Sequence, residues 1–236
     1  MIVKKNNNQK LILSNVKSFF NDADKKILDY GCGEGALLAD LIEAGYDAYG
    51  CDVADRAQNH RIKLMDNSFK IPYPDNFFDC VVSNQVIEHV HDIEIMMSEF
   101  NRVMKPQSKG LLLFPTVETF MEWHLFLPFI HWFNRFPRFQ KLILYIYALL
   151  GLGHPKPSKS NKKQWVNDRS FFLQNHTRYR FRFSLIHRFK INKFDVKTIE
   201  KEFNYEKYQI SAFLKLFINK ITLPILLGSV FVITKR

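Results

Sequence analysis

Apolar and polar positions along the chain fall into two alternating periods. Residues 8–20 (NQKLILSNVKSFF) place apolar side chains at helical spacing and predict an amphipathic helix. Residues 26–30 (KILDY) form a short apolar run and predict a strand. Residues 36–44 (ALLADLIEA) return to helical spacing and stop at Gly45. Further strands are predicted over 47–51, 61–65, 78–83 and 110–114, and a helix over 91–104 with Pro106 just past its end. PYPDN, residues 72–76, is a turn. Strand and helix alternate through short connections, which predicts an α/β fold with a parallel sheet covered by helices on both faces.

Near the C-terminus, a helix over 195–203, a strand over 207–211 and a last strand over 229–234 would complete that sheet. Between lies a long segment, 115–193, that breaks the rhythm and reads as a lid or substrate region. The expected organisation is therefore one domain over 1–236. It has a nucleotide-binding part over 1–114, an insertion over 115–193 and a sheet-completing part over 194–236.

The 236 residues, 47% hydrophobic, suit one domain with a full core. With 23 Phe, 9 Tyr and 3 Trp, disorder is not expected. The start MIVKKNNNQK is polar and no apolar stretch follows it, so no signal peptide and a cytoplasmic location are expected. Cys32, Cys51 and Cys80 stand 19 and 29 apart, match no zinc spacing and are odd in number, so they read as buried, reduced thiols. Charge divides the chain. Residues 1–115 hold 13 Lys+Arg and 16 Asp+Glu, whereas 116–236 hold 21 and 7. The second half suits an anionic partner.

The stretch ILDYGCGEGALL, 27–38, runs from a strand through Gly31, Gly33 and Gly35 into a helix. Such a turn holds part of a nucleotide. Gly31-Cys32-Gly33-Glu34-Gly35-Ala36 satisfies G-x-G-x-x-G/A, but Asp29 and Glu34 would repel a pyrophosphate and attract a cationic amine. Asp52 ends the second strand 19 residues beyond Gly33, where an acid can accept from both ribose hydroxyls. Asp66 ends the third strand and could accept from an exocyclic amine on a base.

The ensemble LDYGCGEG (28–35), YGCD (49–52), LMDNSFKIPYPDNFFDCVVSNQVIEHV (64–90) and NRVMKPQSKGLLLF (101–114) resembles the class I S-adenosylmethionine-dependent methyltransferases. The resemblance implies a Rossmann-like, seven-stranded, mostly parallel sheet with the final strand antiparallel, and S-adenosylmethionine as cofactor. It implies that the turn around Asp29, Gly31, Cys32, Gly33 and Gly35 holds the methionine part. Asp52 would take the ribose and Asp66 the adenine amine, with Asn67 beside the ring. Asn84 and Gln85 would stand at the mouth of the transfer site. One departure is the gap of 13 residues between Asp52 and Asp66, which leaves about one turn of helix between strands two and three.

Methyl transfer requires alignment of the acceptor and, for a hydroxyl, removal of a proton. No metal is required or assigned. Candidate bases are His89, His91, His124 and His131, with Glu88 and Glu122 as partners or substitutes. His89, His124 and Glu122 are the assigned catalytic set. The run Glu122-Trp123-His124 to Pro128-Phe129-Ile130-His131-Trp132 resembles a segment of bacterial methyltransferases of surface-polysaccharide and lipid-linked sugar synthesis. That implies O-methylation of a sugar or lipid-linked glycan, with Trp123 and Trp132 stacking on a ring.

From 135 to 193 there are 14 Lys+Arg against one acid, Asp168, with aromatics interleaved. Three readings stay open: contact with an anionic membrane surface through 139–150, a nucleic-acid groove, or a solvated basic lid. Residues 139–150 are too few to span a bilayer, which needs about 20. RYRFRF, 178–183, predicts a strand with Arg178, Arg180 and Arg182 in a row able to grip a phosphate. An RNA methyltransferase, a quinone-type methyltransferase and a non-catalytic cofactor-binding protein are the competing functions. The first is weakened by Ser83-Asn84-Gln85-Val86 where amine-modifying enzymes often carry an N/D-P-P-Y/F signature.

Overall fold

The structure is a computed structural model that describes residues 7–20, 24–55, 59–157, 160–200 and 228–236. Helix α1 (Asn7–Phe19) precedes strand β1 (Lys26–Tyr30), helix α2 (Ala36–Glu43), and strands β2 (Asp47–Asp52), β3 (Ile62–Leu64) and β4 (Phe78–Asn84). Helix α3 (Ile93–Val103) leads directly into the long strand β5 (Met104–Phe114). The insertion carries a small hairpin, β6 (Met121–Glu122) and β7 (Leu127–Pro128), a 3-10 turn, and helices α4 (Pro137–Leu149), α5 (Lys162–His176) and α6 (Arg182–Ile191). Strands β8 (Phe194–Thr198) and β9 (Ser229–Lys235) close the sheet.

The described strands form a seven-stranded sheet in the order β3-β2-β1-β4-β5-β9-β8. β9 runs antiparallel to both neighbours, and the pairs among β1 to β5 are parallel. This is the expected Rossmann-like α/β architecture. The order reverses between β1 and β4, so the loops after these strands diverge and leave a crevice at their carboxyl ends.

Both faces of the sheet are covered, which is why its strands read as apolar runs rather than clean alternations. Leu28, Val81 and Leu112 face a layer with Met97, Phe100 and Phe189, whereas Ile27, Val82 and Leu111 face Ile12, Leu38 and Leu41 of α1 and α2. Phe78, Phe100, Phe189, Phe194 and Phe231 are fully buried, each contributing about 1.5–3 kcal/mol of hydrophobic stabilisation. The insertion has its own core, in which Leu127, Ile130, Leu144, Trp165 and Leu173 meet. Cys32, Cys51 and Cys80 are buried free thiols.

Two sequence expectations are corrected. Residues 194–198 form an edge strand rather than the start of a helix, because alternate Phe194, Val196 and Thr198 pair with Lys235, Ile233 and Phe231 of β9. The expected strand over 178–183 is irregular chain that enters α6 at Arg182. Its backbone instead makes single bonds, Arg178 N–H to Glu88 C=O and Val117 N–H to Arg180 C=O, at 2.6 and 3.0 Å. Its three arginines form no open phosphate-gripping row. Arg178 donates to the carbonyls of Gln174 and Thr177, and Arg182 pairs with Glu200 at 3.1 Å. Arg180 binds the loop after β4. The expected strand at 207–211 lies outside the described residues.

Candidate active site

A cavity of about 620 Å³ opens at the carboxyl ends of β1, β2 and β4. The glycine turn forms its floor. Gly31 has φ +72°, and a Cβ there would sit 2.5 Å from a methyl of Val86, so only glycine lets the two loops approach. Gly33, also left-handed at φ +55°, donates its N–H to Asp52 Oδ2 at 2.9 Å. Ala54 N–H donates to the other oxygen of Asp52 at 3.0 Å. Asp52 thus ties the β1 and β2 loops together from the wall of the cavity.

Asp29 lies behind the turn, buried, with Oδ2 unpartnered. Burial pushes its carboxyl up to about 7; the Leu38 backbone N–H opposes this and the neighbouring Asp52 adds to it. Cys32 is packed beneath the turn against Gly50, and Gly35 caps the N-terminus of α2 in the left-handed conformation. Gly31, Gly33, Asp52, Gln85, His89 and His91 line the cavity. Asp66 does not: it is exposed, and its Oδ1 accepts from Ser68 N–H and Lys70 N–H. Asn67 is exposed beside it, and Asn84 accepts from Asn8 Nδ2 at 3.4 Å, away from that wall. On the expected adenine side, Met65 and Phe69 provide the lining.

The loop after β4 carries Glu88 and His89. Arg180 of the insertion reaches over it and donates to the carbonyls of Ile87, Val90 and His91 at 3.3, 2.7 and 2.9 Å. Asp92 then caps α3 by accepting from Glu94 and Ile95 N–H. From the other side, hairpin β6–β7 presents Glu122 and His124.

These groups meet. His124 Nδ1 is 2.8 Å from Glu122 Oε1, and His124 Nε2 is 3.2 Å from His89 Nε2. Glu122 is fully buried; its carboxylate also accepts from Tyr179 O–H and Leu125 N–H, both at 2.6 Å. Burial raises the Glu122 carboxyl, but His124 and Tyr179 outweigh it and hold it below the usual range. Burial lowers His124, yet Glu122 outweighs that and holds it above the usual histidine value. His89 is lowered, chiefly by burial. Its Nδ1 donates to the His176 carbonyl at 2.6 Å, which leaves Nε2, facing His124, as its acceptor nitrogen. Glu88 lies beside the pair, buried, with neither oxygen hydrogen-bonded to another residue, and burial pushes it up to about 8.

The sequence-predicted catalytic set, His89, His124 and Glu122, is therefore brought together across 35 residues of chain. His131 is not part of it: it is buried against Val117 C=O and the Tyr179 ring. Sequence reading missed Tyr179, and it missed Phe172 and His176 of α5, which close the far side of the cavity. Their only sequence signal was membership of the aromatic insertion.

Comparison with known proteins supports the same architecture. Residues 5–147 match the profile of the methyltransferase domain family. Ubiquinone biosynthesis O-methyltransferase of Bartonella bacilliformis is 30% identical over 118 residues, covering 44% of this chain and 46% of that protein. Demethylmenaquinone methyltransferase of Symbiobacterium thermophilum is 30% identical over 131 residues, covering 45% and 52%. The chain spans about half the length of these curated relatives. An S-adenosylmethionine-dependent methyltransferase from Mesorhizobium loti shares the fold with TM-score 0.58 at 10% identity, covering 98% of this chain and all of that one. With more than half its length matched and the sheet order and glycine turn in place, the chain belongs to the methyltransferase domain family, the S-adenosylmethionine-dependent methyltransferases of Rossmann-like fold.

Proposed function

We propose that this protein O-methylates a small molecule that carries a hydroxyl group and an apolar portion. The observation that carries this reading is the chain Glu122–His124–His89, which ends with His89 on the cavity wall. A base within reach is what a hydroxyl acceptor needs.

The cavity fits S-adenosylmethionine. A left-handed glycine turn allows close backbone approach, Asp52 offers carboxylate oxygens at the wall, and a cationic amine nearby would draw buried Asp29, unpartnered at Oδ2, into its ionised form. When bound, the cofactor supplies an electrophilic methyl group on a sulfonium. The chain's own residues do the rest. Gly31, Gly33 and Asp52 would hold the cofactor, and Phe172 and His176 would shield the site from water. His89 Nε2 would take the acceptor's proton. Both histidines have Nδ1 committed as a donor, so their facing Nε2 atoms are both acceptors. A proton arriving at His89 is then shared across the 3.2 Å gap, and Glu122 stabilises the resulting cation.

The quinone-type relatives favour a phenolic acceptor. A lipid-linked glycan is the second reading, supported by the exposed rings of Trp123 and Trp132. A lipid tail on either acceptor would suit α4. Phe139, Leu142, Tyr145, Ile146 and Leu149 form an exposed apolar face on α4, beside Arg138 and Lys141. That face fits the surface of an anionic bilayer on the cytoplasmic side. No described helix is long and apolar enough to cross a membrane.

The test uses methyl-labelled S-adenosylmethionine with native-cell extract, wild-type protein and His89→Gln. The reading expects alkali-stable label in the organic-soluble or glycan fraction that His89→Gln abolishes. Label confined to RNA or protein overturns it.

A further inference from the structure

The cluster contains a donor set that can hold either a shared proton or a cation. Glu88 is buried, and neither carboxylate oxygen is hydrogen-bonded to another residue. Leaving such a group unpartnered is costly, and the cost is met by a proton or by a cation. Glu88 Oε1 lies 3.9 Å from His89 Nε2, and donor atoms of Glu88, His89 and His124 all fall within 4.8 Å of one another.

The two imidazoles point the same way. Two nitrogens bound to one tetrahedral ion at ~2.0–2.1 Å stand about 3.3 Å apart. The observed Nε2–Nε2 separation is 3.2 Å. Each ring's other nitrogen is already fixed, His89 Nδ1 by the His176 carbonyl at 2.6 Å and His124 Nδ1 by Glu122 at 2.8 Å. A carbonyl or carboxylate on the far nitrogen is the arrangement that orients metal-binding histidines and sets their tautomer. Glu122 is itself held by Tyr179 O–H and Leu125 N–H, so this outer support is rigid.

We infer that Glu88, His89 and His124 form a binding site for one divalent transition-metal ion beside the cofactor cavity. Two imidazoles and a carboxylate favour zinc, cobalt or nickel over magnesium and calcium, which prefer all-oxygen sets. Glu88 closes onto the ion by a side-chain rotation, since its oxygen stands farther off than the nitrogens. Three protein ligands leave a fourth position open, as in catalytic rather than structural sites. Because His89 lines the cavity, that position faces the acceptor. The site's role rests on the O-methylation reading; its existence does not. In that role an ion-bound hydroxide exchanges for the acceptor's oxygen and departs as water with the acceptor's proton. The acceptor is then left as an ion-bound alkoxide or phenolate.

The test uses the full chain, stripped with chelator, dialysed and titrated with Co²⁺ alone. One equivalent should bind, giving visible d–d bands of tetrahedral intensity, with Zn²⁺ displacing it. His124→Gln and Glu88→Gln should each weaken binding at least tenfold, with far-UV circular dichroism and cofactor binding retained as proof of folding. Absence of saturable binding, or equal binding in both variants, overturns the site. The titration contains neither cofactor nor acceptor, so it separates from the function. Co²⁺ bound at these residues in a chain that labels only RNA keeps the site and removes the small-molecule reading. Full methyl transfer by the stripped chain removes the ion's role and leaves the histidine base.

Discussion

The Arg180 guanidinium donates to the carbonyl of Val90 at 2.7 Å, and through this contact the insertion governs the loop that presents Glu88 and His89. The same side chain binds Ile87 and His91 carbonyls, so three backbone groups share one half-buried cation. Burial, with Arg188 and Arg178 nearby, lowers its proton affinity. Arg180→Met should cost about 1.5–3 kcal/mol, since hydrogen bonds from a charged donor carry that much each and neighbours relax. A melting-temperature drop of about 5 °C or more is expected. The catalytic rate constant should fall while cofactor affinity stays close to wild type. A melt that does not move would show that the loop holds itself.

Removing the proposed base should be expensive for turnover. His89→Gln is expected to lower the rate of methyl transfer about 10²-fold or more at saturating cofactor. Tyr179→Phe removes one donor from Glu122 but leaves the His124 and Leu125 contacts, so a smaller loss is expected. Single-turnover kinetics on both variants ranks them. Equal losses would mean that Tyr179 touches the acceptor itself.

The two glycines that line the cavity should respond differently. Gly31→Ala meets Val86 at 2.5 Å as well as requiring a left-handed alanine, whereas the space around Gly33 is open within 4 Å. Gly33→Ala should cost only the backbone term, about 1–2 kcal/mol. Gly31→Ala should cost more and should weaken cofactor binding through displacement of the β4 loop. Denaturant melts and calorimetry of S-adenosylhomocysteine binding measure the two effects.

Asp52 bridges two loops through Gly33 and Ala54 N–H, so Asp52→Ala orphans two donors. Cofactor affinity is expected to fall at least tenfold. Asp52→Asn retains one acceptor oxygen and should fall in between. Isothermal titration decides the order, and an unchanged affinity in Asp52→Ala would remove it from the binding wall.

Asp29 gives a stability signature in pH. Burial raises its folded pKa to about 7 from a usual value of 3.8. Above pH 4 the unfolded chain has lost this proton while the folded chain keeps it. The contribution of Asp29 therefore declines as pH rises from about 4 to about 7 and then levels off. In cofactor-free protein, Asp29→Asn should flatten that decline, raising the melting temperature more at pH 8 than at pH 5. A parallel shift at both pH values would place the Asp29 proton elsewhere.

The legibility of the fold follows from how local its signals are. The strand-turn-helix at 26–44 is written in adjacent residues: apolar strand, three glycines, apolar helix. The same holds for Asp52 at the end of β2 and for Asp92 at the start of α3. Edge elements were harder. Phe194, Val196 and Thr198 carry a period of two over only five residues, and the pairing with β9 that makes them a strand bridges more than thirty positions. RYRFRF has a clean period of two and is not a strand, because no sheet edge is offered to it. Its arginines bind nearby carbonyls and a glutamate instead.

The sequence by itself determined the inner strands of the sheet and the glycine turn, since those depend on residue type at short spacing, and its resemblance to a known family implied the cofactor. It also named His89, His124 and Glu122 as chemistry-bearing residues. Only the tertiary structure decided that they touch. His89 follows β4 and His124 sits on a hairpin of the insertion, and their meeting depends on Arg180 clamping one loop while Tyr179 and Leu125 anchor Glu122 behind the other. No local pattern encodes the direction of an imidazole nitrogen. The facing Nε2 atoms and the unpartnered Glu88 carboxylate arise from packing between segments distant in the chain, where burial sets the cost of every missing partner.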